Sequence, residues 1–599
     1  MGHDIDDDID DGDDQVTAAR HGSTDVRRRL LASLAGIGLV AAACGSDDQP
    51  SSANPPATTS AATTPAETAP ESSPADQTGS PSGHDTGSSP SVEPEGLPWG
   101  PTEEQFAEAE SIVADMTVEE LAGQVIMAGY AGLDAPVDLV TELNLGGVIV
   151  MGDNIDDPDQ LRDVTQEVQE ADGRPYPVMV GVDQEGGTVA RVRSPATEFP
   201  TYMALGAARD AELATDVARA SGEELRAMGF TMVFAPVADV TSGPDDPTIG
   251  SRSASSDPGV VGEMVTASLR GYADAGIVAV AKHFPGHGSV PADSHEELPV
   301  QEAPLARLRE HDFVPFQAAV DDGAPAVMVG HIDVQAVDPG VPSSLSADVV
   351  DLLRSDLGFD GLVVTDAQDM AAITEEYGAG DAAVRALEAG ADLVLMPADV
   401  RAAHAAIVDA VDDGRLAERV VERAATRGVA TMLHQQAGGD APGEDSIGAH
   451  EQLSYRASLE AITVATGRCD GPYVGDSIRV VGAEEQDRAR LTEAAQAAGL
   501  TVSDDGDVVR LLGAGADGSG AGDVVVALDT PYVLGRSDAS TKIALYGRTP
   551  AAFRALVDVL RGAETAHGRL PTDVDGVDQL GCPSAPRGTE TPSAPPDAP

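Results

Sequence analysis

The stretch VAVAKHFPGHGSVPADSH, residues 278–295, begins as a continuously apolar run and becomes polar at Lys282 and His283. It then passes through a Pro-Gly turn and ends in Asp293-Ser294-His295. Lys282 is one of only two lysines in the chain, so its position beside a histidine is unusual. A strand that is buried on both faces is apolar throughout. This stretch therefore predicts a buried strand whose carboxyl end carries functional side chains.

Seven further apolar runs of strand length alternate with helical patterns along the chain. Eight such runs predict a (β/α)8 barrel over residues 98–435, and in such barrels the catalytic groups lie at the carboxyl ends of the strands. The runs are Gln124–Ala128, Gly147–Met151, Val178–Val182, Thr231–Pro236, Ile277–Ala281, Ala326–Val329, Leu362–Thr365 and Asp392–Met396. Polar or titratable residues follow several of them directly: Asp183, Asp239, Lys282-His283, His331 and Asp366. We expect these residues to share one rim of the barrel.

A second, smaller α/β domain is predicted over residues 455–575, after a linker at 436–454. Its strand-like runs are Ile478–Val481, Val508–Leu512, Val524–Leu528 and Ile543–Tyr546, and its helical patterns are Arg488–Ala498 and Ala551–Leu560. This order predicts a doubly wound parallel sheet in a sandwich with helices. Residues 576–599 are rich in Pro, Ser and Thr and predict a disordered tail.

The first 97 residues are predicted to lie outside the folded domains, and residues 45–97, rich in Ser, Pro and Thr, contain little that a core could bury. Residues 1–26 are acidic and of low complexity, which predicts a disordered tail. Residues 27–44 combine three arginines, a short apolar run and small residues ahead of Cys44, as in a signal peptide with a lipobox-like end. Lipidation of Cys44 would anchor the exported chain to a membrane through a flexible tether at 45–97. The alternative is a plain signal peptide in which Cys44 is incidental.

The cysteine count fits an exported protein. Of the three cysteines, Cys44 ends the signal segment, which leaves Cys469 and Cys582 as an even pair. Disulfides persist in oxidising compartments outside the cytosol. We therefore expect Cys469 and Cys582 to pair and to tie the end of the chain to the second domain.

The charge of the chain excludes one class of partner. The sequence has 36 Lys and Arg against 101 Asp and Glu, which gives a formal net charge of −65. An electrostatic field of that sign repels phosphate backbones. We therefore do not expect the protein to bind nucleic acid.

Carboxylates and a histidine at one polar rim suit glycoside hydrolysis. That reaction needs a group that protonates the leaving oxygen and a carboxylate that meets an oxocarbenium-like carbon. Asp366 would project from a rigid strand, and Asp293 is placed to orient the imidazole of His295. The alternatives are a helix N-cap for Asp366 and two solvated loop residues for the other pair. A metal site is not expected, because the ammonium of Lys282 beside His283 would repel a cation.

Three motifs together resemble glycoside hydrolase family 3, in its β-N-acetylglucosaminidase branch (the NagZ-like enzymes). They are KHFPGHG at 282–288, Asp293-Ser294-His295, and GFDGLVVTDAQDM at 358–370. The resemblance extends through VGVDQEGGTVARV, FAPVADV and IGSRS and covers roughly residues 100–435. Thr530-Pro531-Tyr532 and ALYGRTPAA are similar to the C-terminal sandwich domain of the family. The resemblance implies that neither a metal nor an organic cofactor is used.

The resemblance also implies a two-step retaining mechanism and a set of site residues. Asp366 matches the nucleophile that forms the covalent glycosyl-enzyme, and His295 matches the general acid/base with Asp293 as its partner. A histidine in that role departs from the usual pair of carboxylates. The positions that match residues holding the sugar hydroxyls and the N-acetyl group are Asp183, Arg191, Arg252, Lys282 and His283.

The function that this resemblance implies is an exported β-N-acetylhexosaminidase. It would remove terminal β-N-acetylglucosamine (GlcNAc) from peptidoglycan-derived saccharides such as GlcNAc–MurNAc. Three alternatives stay open: a family 3 β-glucosidase or β-xylosidase, a GlcNAc phosphorylase, and a non-catalytic sugar-binding lipoprotein. The first usually takes a glutamate acid/base from elsewhere, so the pair Asp293 and His295 argues against it. The complete set, with Asp366, argues against the non-catalytic alternative. The sequence predicts no oligomeric state.

Overall fold

The computed structural model of the chain describes residues 96–513, 515–518, 521–578 and 580–582. The predicted acidic tail, the signal peptide with Cys44, and all but the last two residues of the tether lie outside the described residues. The predicted C-terminal tail beyond residue 582 lies outside them as well. Within the described ranges, no helix is both long enough and apolar enough to span a membrane.

Eight parallel strands form a closed barrel in the first part of the described chain, which confirms the predicted fold. From the first strand to the seventh, each pairs with the next, and the first pairs with the eighth. A parallel bridge between Val364 and Leu393 joins the seventh strand to the eighth. The strands are Ile126–Gly129, Gly147–Val150, Met179–Val182, Met232–Val233, Val278–Phe284, Ala326–Val329, Leu362–Thr365 and Val394–Leu395.

The barrel strands are buried on both faces, as their continuous apolar runs require. All residues of the fifth strand, Val278–Phe284, are buried, and the strand runs past its predicted end to include Lys282 and His283. Side chains fill the barrel interior, and helices surround it. These helices are Glu103–Val113, Val118–Gln124, Val137–Leu143, Pro158–Glu170, Tyr202–Ala208, Ala211–Ala227, Pro258–Asp274, Leu305–Glu310, Val314–Asp321, Ala347–Asp351, Ala371–Thr374, Ala379–Ala389, Val400–Asp412 and Glu418–Ala437.

A six-stranded sheet forms the C-terminal domain. Across the sheet, the strands are Thr463–Thr466, Thr541–Ala544, Val524–Ala527, Asp507–Leu512, Ser477–Gly482 and Thr501–Val502. Thr463–Thr466 is antiparallel to its neighbour, and the other five strands are parallel. The parallel strands therefore follow the order 2-1-3-4-5 of a doubly wound sheet, as predicted.

The two faces of this sheet are covered by different parts of the chain. Alternate side chains of a strand point to opposite faces. In Val524–Ala527, the first and third residues pack with the domain's own helices Glu485–Ala497 and Pro550–Leu560. The second and fourth belong to a buried cluster with Met203 of the barrel helix Tyr202–Ala208. The sheet is therefore apolar on both faces because it lies between its own helices and the barrel.

The C-terminal domain extends further along the chain than predicted. Residues 576–578 and 580–582 are held against the sheet, so the predicted disordered tail starting at 576 is wrong for them. Lys542 Nζ donates a hydrogen bond to the carbonyl of Gly576 at 2.9 Å. The N–H of Asp578 donates to the carbonyl of Ala465 at 3.1 Å. Hydrogen bonds to the backbone thus hold a segment that has no apolar pattern of its own.

A disulfide joins Cys469 to Cys582 and closes a segment of 113 residues. The two Cα atoms lie 5.4 Å apart, which is within the range of ordinary disulfides. Cys582 is buried in the cluster on the helical face of the sheet. The bond therefore ties the end of the described chain to the beginning of the C-terminal domain.

Removing this disulfide should destabilise the C-terminal domain. A bond that closes a loop of this length restricts the unfolded chain and is worth about 2–5 kcal/mol. We expect Cys469→Ser to lower the free energy of unfolding in urea by an amount in that range. The double variant with Cys582→Ser should cost little more than Cys582→Ser alone, because both remove the same bond. A double variant as stable as the oxidised wild type would contradict this expectation, and so would losses that simply add.

Candidate active site

A cavity of about 270 Å³ opens at the carboxyl ends of the barrel strands. Its lining combines charged side chains with apolar ones such as Met151 and Met396. The charged and polar lining residues include Asp183, Glu185, Arg191, Arg252, Lys282, His283, His287, Ser294, His295, Asp366 and Asp369. All five predicted sugar-binding residues, the predicted nucleophile and the predicted acid/base are therefore brought together. Asp293 is not part of the lining and contacts the site through its hydrogen bond to His295.

Asp183, Glu185, Arg252 and Lys282 form a buried ion cluster at this rim. Lys282 Nζ lies 2.6 Å from Asp183 Oδ1 and 2.7 Å from Glu185 Oε1. Arg252 donates two hydrogen bonds to Glu185, from Nε at 2.8 Å and from Nη2 at 2.9 Å. Arg191 Nη2 stands 3.7 Å from Asp183 Oδ2. The side chains of Lys282 and Glu185 are each 2% exposed, so water screens their attraction little.

Mutual attraction sets the protonation states in the ion cluster. Burial alone would raise the pKa of Glu185, but the charges of Arg252 and Lys282 hold it well below its ordinary value. Burial alone would lower the pKa of Lys282, but the charges of Asp183 and Glu185 raise it instead. Glu185 and Lys282 are therefore both charged at neutral pH. The cluster gives the cavity a wall of fixed charges.

Asp239 orients two histidines next to the ion cluster. Its Oδ2 lies 2.7 Å from His283 Nδ1, and its Oδ1 accepts a hydrogen bond from the backbone N–H of His287 at 2.6 Å. Burial alone would raise the pKa of Asp239, but His283 lowers it below its ordinary value. Because Nδ1 of His283 is bonded to Asp239, Nε2 remains available to the cavity. This Nε2 lies 3.4 Å from Arg252 Nη2. In the described part of the chain, no group of three or more His, Cys, Asp or Glu residues is arranged to hold a metal ion.

Asp366 directly follows the seventh strand and is held by backbone groups. Its N–H donates to the carbonyl of Val329 at 2.8 Å, and its Oδ1 accepts from the N–H of Ala367 at 2.9 Å. Burial alone would raise the pKa of this carboxyl, but His283 and His331 lower it below its ordinary value. Asp366 therefore presents an ionised carboxylate from a rigid position, which is what a nucleophile in this chemistry requires.

Asp293 and His295 form a hydrogen-bonded dyad on the loop after the fifth strand. His295 Nδ1 lies 2.8 Å from Asp293 Oδ1, which also accepts from the backbone N–H of His295 at 3.0 Å. Burial alone would raise the pKa of Asp293, but its hydrogen bonds from His295 lower it. A carboxylate on Nδ1 fixes the orientation of the imidazole and leaves Nε2 for proton transfer.

The sequence of the barrel matches a known family of enzymes. Residues 117–431 match the family model described as the glycosyl hydrolase family 3 N terminal domain. The chain is a family 3 glycoside hydrolase. Beta-hexosaminidase LpqI of Mycobacterium tuberculosis is 37% identical to it over 341 residues, which covers 55% of this chain and 87% of that protein. Beta-hexosaminidase A of Pseudoalteromonas piscicida is 32% identical over 359 residues, which covers 54% of this chain and 60% of that protein.

Solved structures extend the likeness beyond the barrel of this family 3 enzyme. The family 3 beta-N-acetylglucosaminidase from Paenibacillus sp. str. FPU-7 superposes with a TM-score of 0.69 at 31% identity, covering 77% of this chain and 99% of that chain. The M. tuberculosis LpqI structure superposes with a TM-score of 0.51 at 35% identity, covering 54% of this chain and 96% of that chain. The larger coverage shows that the C-terminal domain has a counterpart in the Paenibacillus enzyme. The predicted family and fold are confirmed.

Two residues of the site received no role from the sequence. Glu185 is the shared partner of Lys282 and Arg252, and Asp239 orients His283. Both follow strands of the barrel closely, and this position placed Asp239 on the predicted rim without giving it a partner. Their hydrogen-bond partners could not be predicted from the sequence, because the partners are far apart in it. Arg252 and Glu185 are separated by 67 residues, and His283 and Asp239 by 44.

Replacing Glu185 by Gln should destabilise the enzyme. The substitution leaves the cations of Lys282 and Arg252 without their shared counter-charge, and removing one partner of a buried pair costs about 3–5 kcal/mol. Urea unfolding at pH 7 should show a decrease in the free energy of unfolding within that range. The folded-state pKa of Glu185 lies below the unfolded value of about 4.3. Its stabilisation is therefore complete above that pH and is lost as the pH falls towards the folded-state pKa, so the difference from wild type should narrow in acid.

Glu142→Gln is the matched control for this experiment. Glu142 pairs with Arg401 on the surface, where both side chains are more than half exposed. Exposed ion pairs contribute little to stability, so this variant should unfold almost as the wild type does. Equal losses of unfolding free energy in the two variants would contradict the importance of the ion cluster. A difference in unfolding free energy between Glu185→Gln and wild type that widens as the pH falls would contradict it as well.

Proposed function

We propose that this enzyme removes terminal, non-reducing GlcNAc from saccharides with retention of configuration. The observation that carries the proposal is that an ionised Asp366 and the imidazole of His295 line one cavity. The sugar is supported by the relatives named beta-hexosaminidase and by the solved beta-N-acetylglucosaminidase with both domains. Under this proposal Asp366 is the nucleophile, and His295 is the general acid/base assisted by Asp293.

In the first step, a carboxylate oxygen of Asp366 attacks the anomeric carbon. His295 acts as imidazolium and gives its Nε2 proton to the glycosidic oxygen, so that the carbon–oxygen bond breaks and the aglycone leaves as an alcohol. Asp293, bonded to Nδ1 at 2.8 Å, stabilises the imidazolium. The sugar is left as an ester on Asp366.

In the second step, water attacks the anomeric carbon of the glycosyl ester. Nε2 of the neutral His295 takes a proton from that water, and Asp366 leaves as a carboxylate. The imidazolium is restored for the next cycle. Because the carbon is inverted twice, the released sugar keeps the β configuration.

The size of the cavity and its fixed charges favour a single terminal sugar. A volume of about 270 Å³ is at the small end for ligand cavities, which suits one monosaccharide better than an internal segment of a chain. Carboxylates and cations of the ion cluster can accept from and donate to hydroxyls at fixed positions. We propose that Asp183, Arg191, Arg252, Lys282 and His283 hold the hydroxyls and the N-acetyl group. The proposed natural source is peptidoglycan-derived saccharide such as GlcNAc–MurNAc.

Turnover of two aryl glycosides should identify the sugar. We expect the enzyme to hydrolyse 4-nitrophenyl β-GlcNAc far faster than the matching β-glucoside, and to release GlcNAc from GlcNAc–MurNAc. Asp366→Ala should lower kcat by about 10³-fold or more. Asp360→Ala is the matched control, because Asp360 is exposed and lies two residues before the same strand. That variant should keep wild-type activity.

Four results of these assays would contradict the proposal. Preference for the glucoside would favour a β-glucosidase, and GlcNAc 1-phosphate as the main product in added phosphate would favour a phosphorylase. Full activity of Asp366→Ala would show that Asp366 is not the nucleophile. An absence of turnover on every glycoside, with sugar binding retained, would instead favour a binding protein.

We also propose that the enzyme is exported and anchored by a lipid on Cys44. The arginines, the apolar run and the small residues ahead of Cys44 support this, and so does the Ser/Pro/Thr-rich tether that follows. The disulfide between Cys469 and Cys582 supports export, because such bonds persist in oxidising compartments. A tether of about 50 residues would hold the barrel about 40 Å from the membrane on average.

Mass spectrometry of the mature N-terminus tests this anchor. We expect the mature chain to begin at Cys44 with lipid attached, and to partition with the membrane fraction. Cys44→Ser should shift the enzyme to the soluble fraction without changing its turnover of the aryl glycoside. A mature chain that begins elsewhere without lipid would contradict the proposal.

A further inference from the structure

Ser294 is the buried residue in an otherwise accessible loop. The flanking side chains of Asp293 and His295 are 31% and 58% exposed, whereas Ser294 is 2% exposed. Among residues 291–298, all of which the structure describes, it is the one that is buried. The loop with the dyad is therefore attached to the rest of the enzyme at its centre.

Ser294 makes contacts with two other parts of the active site. Its Oγ lies 2.9 Å from Nε2 of His287 and 3.8 Å from Sδ of Met370. Its carbonyl accepts a hydrogen bond from the N–H of Ala372 at 3.3 Å. Met370 and Ala372 follow Asp366 closely in the chain. Ser294 thus connects the loop of the dyad to the loop of the nucleophile.

His287 has a defined direction of hydrogen bonding towards Ser294. Within the described residues, its Nδ1 is buried and has no hydrogen-bond partner. Burial lowers the pKa of His287 to about 4, with a further contribution from His283, so the ring is neutral at neutral pH. An unpaired buried N–H is rarer than an unpaired acceptor. The proton therefore belongs on Nε2, which donates to Ser294 Oγ, and the serine hydroxyl donates in turn to Met370 Sδ.

The far end of this chain of contacts is attached to the fixed wall of the cavity. The backbone N–H of His287 donates to Asp239, and the same carboxylate holds His283. The rings of the two histidines meet edge to face, with their centroids 5.9 Å apart. His287 is 2% exposed and cannot turn into solvent. A displacement of Ser294 would therefore have to break contacts with a rigid group.

We propose that Ser294 and His287 are positioning residues that set where His295 delivers its proton. Ser294 fixes the centre of the loop against His287 and against the segment after Asp366, and the dyad projects from this anchor. The inference rests on the proposed function, in which His295 is the general acid/base. It goes beyond that function by assigning the placement of the acid to a buried hydroxyl that does not touch the reacting atoms.

Loss of the contact between Ser294 and His287 should change the kinetics in a way that a general loss of folding would not. A misplaced acid slows the departure of an aglycone that needs a proton, and it affects much less an aglycone that leaves without one. A misplacement of about 1 Å can cost about 10²-fold in rate. The two kinds of substrate should therefore respond differently to the loss of the Ser294 hydroxyl.

The test compares kcat/KM on two glycosides of GlcNAc, the 2,4-dinitrophenyl glycoside and the phenyl glycoside. For Ser294→Ala we expect a loss of about 10–100-fold on the phenyl glycoside and less than about threefold on the dinitrophenyl glycoside. His287→Ala should show the same split. The double variant should show a split no larger than either single variant, because the two residues act through one contact.

Ser289→Ala is the matched control. Ser289 lies on the same loop and donates a hydrogen bond to Asp312 Oδ1 at 2.6 Å, away from the contact between Ser294 and His287. It should behave as wild type on both glycosides. Thermal unfolding of each variant verifies that the compared proteins are folded.

Several outcomes would overturn the proposal. Equal losses on both glycosides in Ser294→Ala would show a merely structural role. Wild-type behaviour of Ser294→Ala, beside a large split in His295→Ala, would overturn the positioning role and leave the proposed function standing. If His295→Ala itself showed no split, the acid/base assignment would be wrong, and the role of Ser294 would be wrong with it.

Discussion

Asp183, Glu185, Arg252 and Lys282 form the buried ion cluster that stabilises the geometry of the whole active site. A chain with a net charge of −65 and two lysines places one of them there, almost completely shielded from water. Charges removed from water cost free energy unless they are paired, so the members of the cluster require one another. They come from the connections after the third and fourth strands and from the end of the fifth. The cluster therefore fixes two neighbouring connections of the barrel relative to each other and to the end of the fifth strand.

The C-terminal domain supports the same connections from outside. The N–H of Thr201 donates to the carbonyl of Tyr546 at 3.0 Å, and the N–H of Ser256 donates to that of Pro571 at 3.2 Å. Thr201 and Ser256 follow the segments that carry Glu185 and Arg252. Among the described residues, the cavity lining comes from the barrel alone. The second domain therefore stabilises the geometry of the site without placing a side chain in it, as a rigid supporting shell does.

The parts of this structure that were predictable are those with a local physical cause. The barrel strands could be predicted from apolar runs because they are buried on both faces. The position of Lys282 could be predicted because a polar residue that ends such a run must lie at the rim. The pairs of Glu185 with Arg252 and of Asp239 with His283 depend on contacts between distant segments, which local spacing does not reveal. The same holds for residues 576–578, because the hydrogen bonds that fix Gly576 and Asp578 come from distant parts of the chain. The role proposed for Ser294 could be inferred only from its atomic contact with His287.

In the proposed mechanism, the scaffold holds Asp366 ionised and rigid so that its carboxylate can bond to the sugar. Mass spectrometry of the enzyme after reaction with a fluorinated GlcNAc glycoside, whose ester turns over slowly, tests this role of Asp366. The expected result is one added sugar on the peptide that contains Asp366. Inactivation with the sugar attached to a different residue would contradict this role, and so would turnover of the glycoside with no adduct formed.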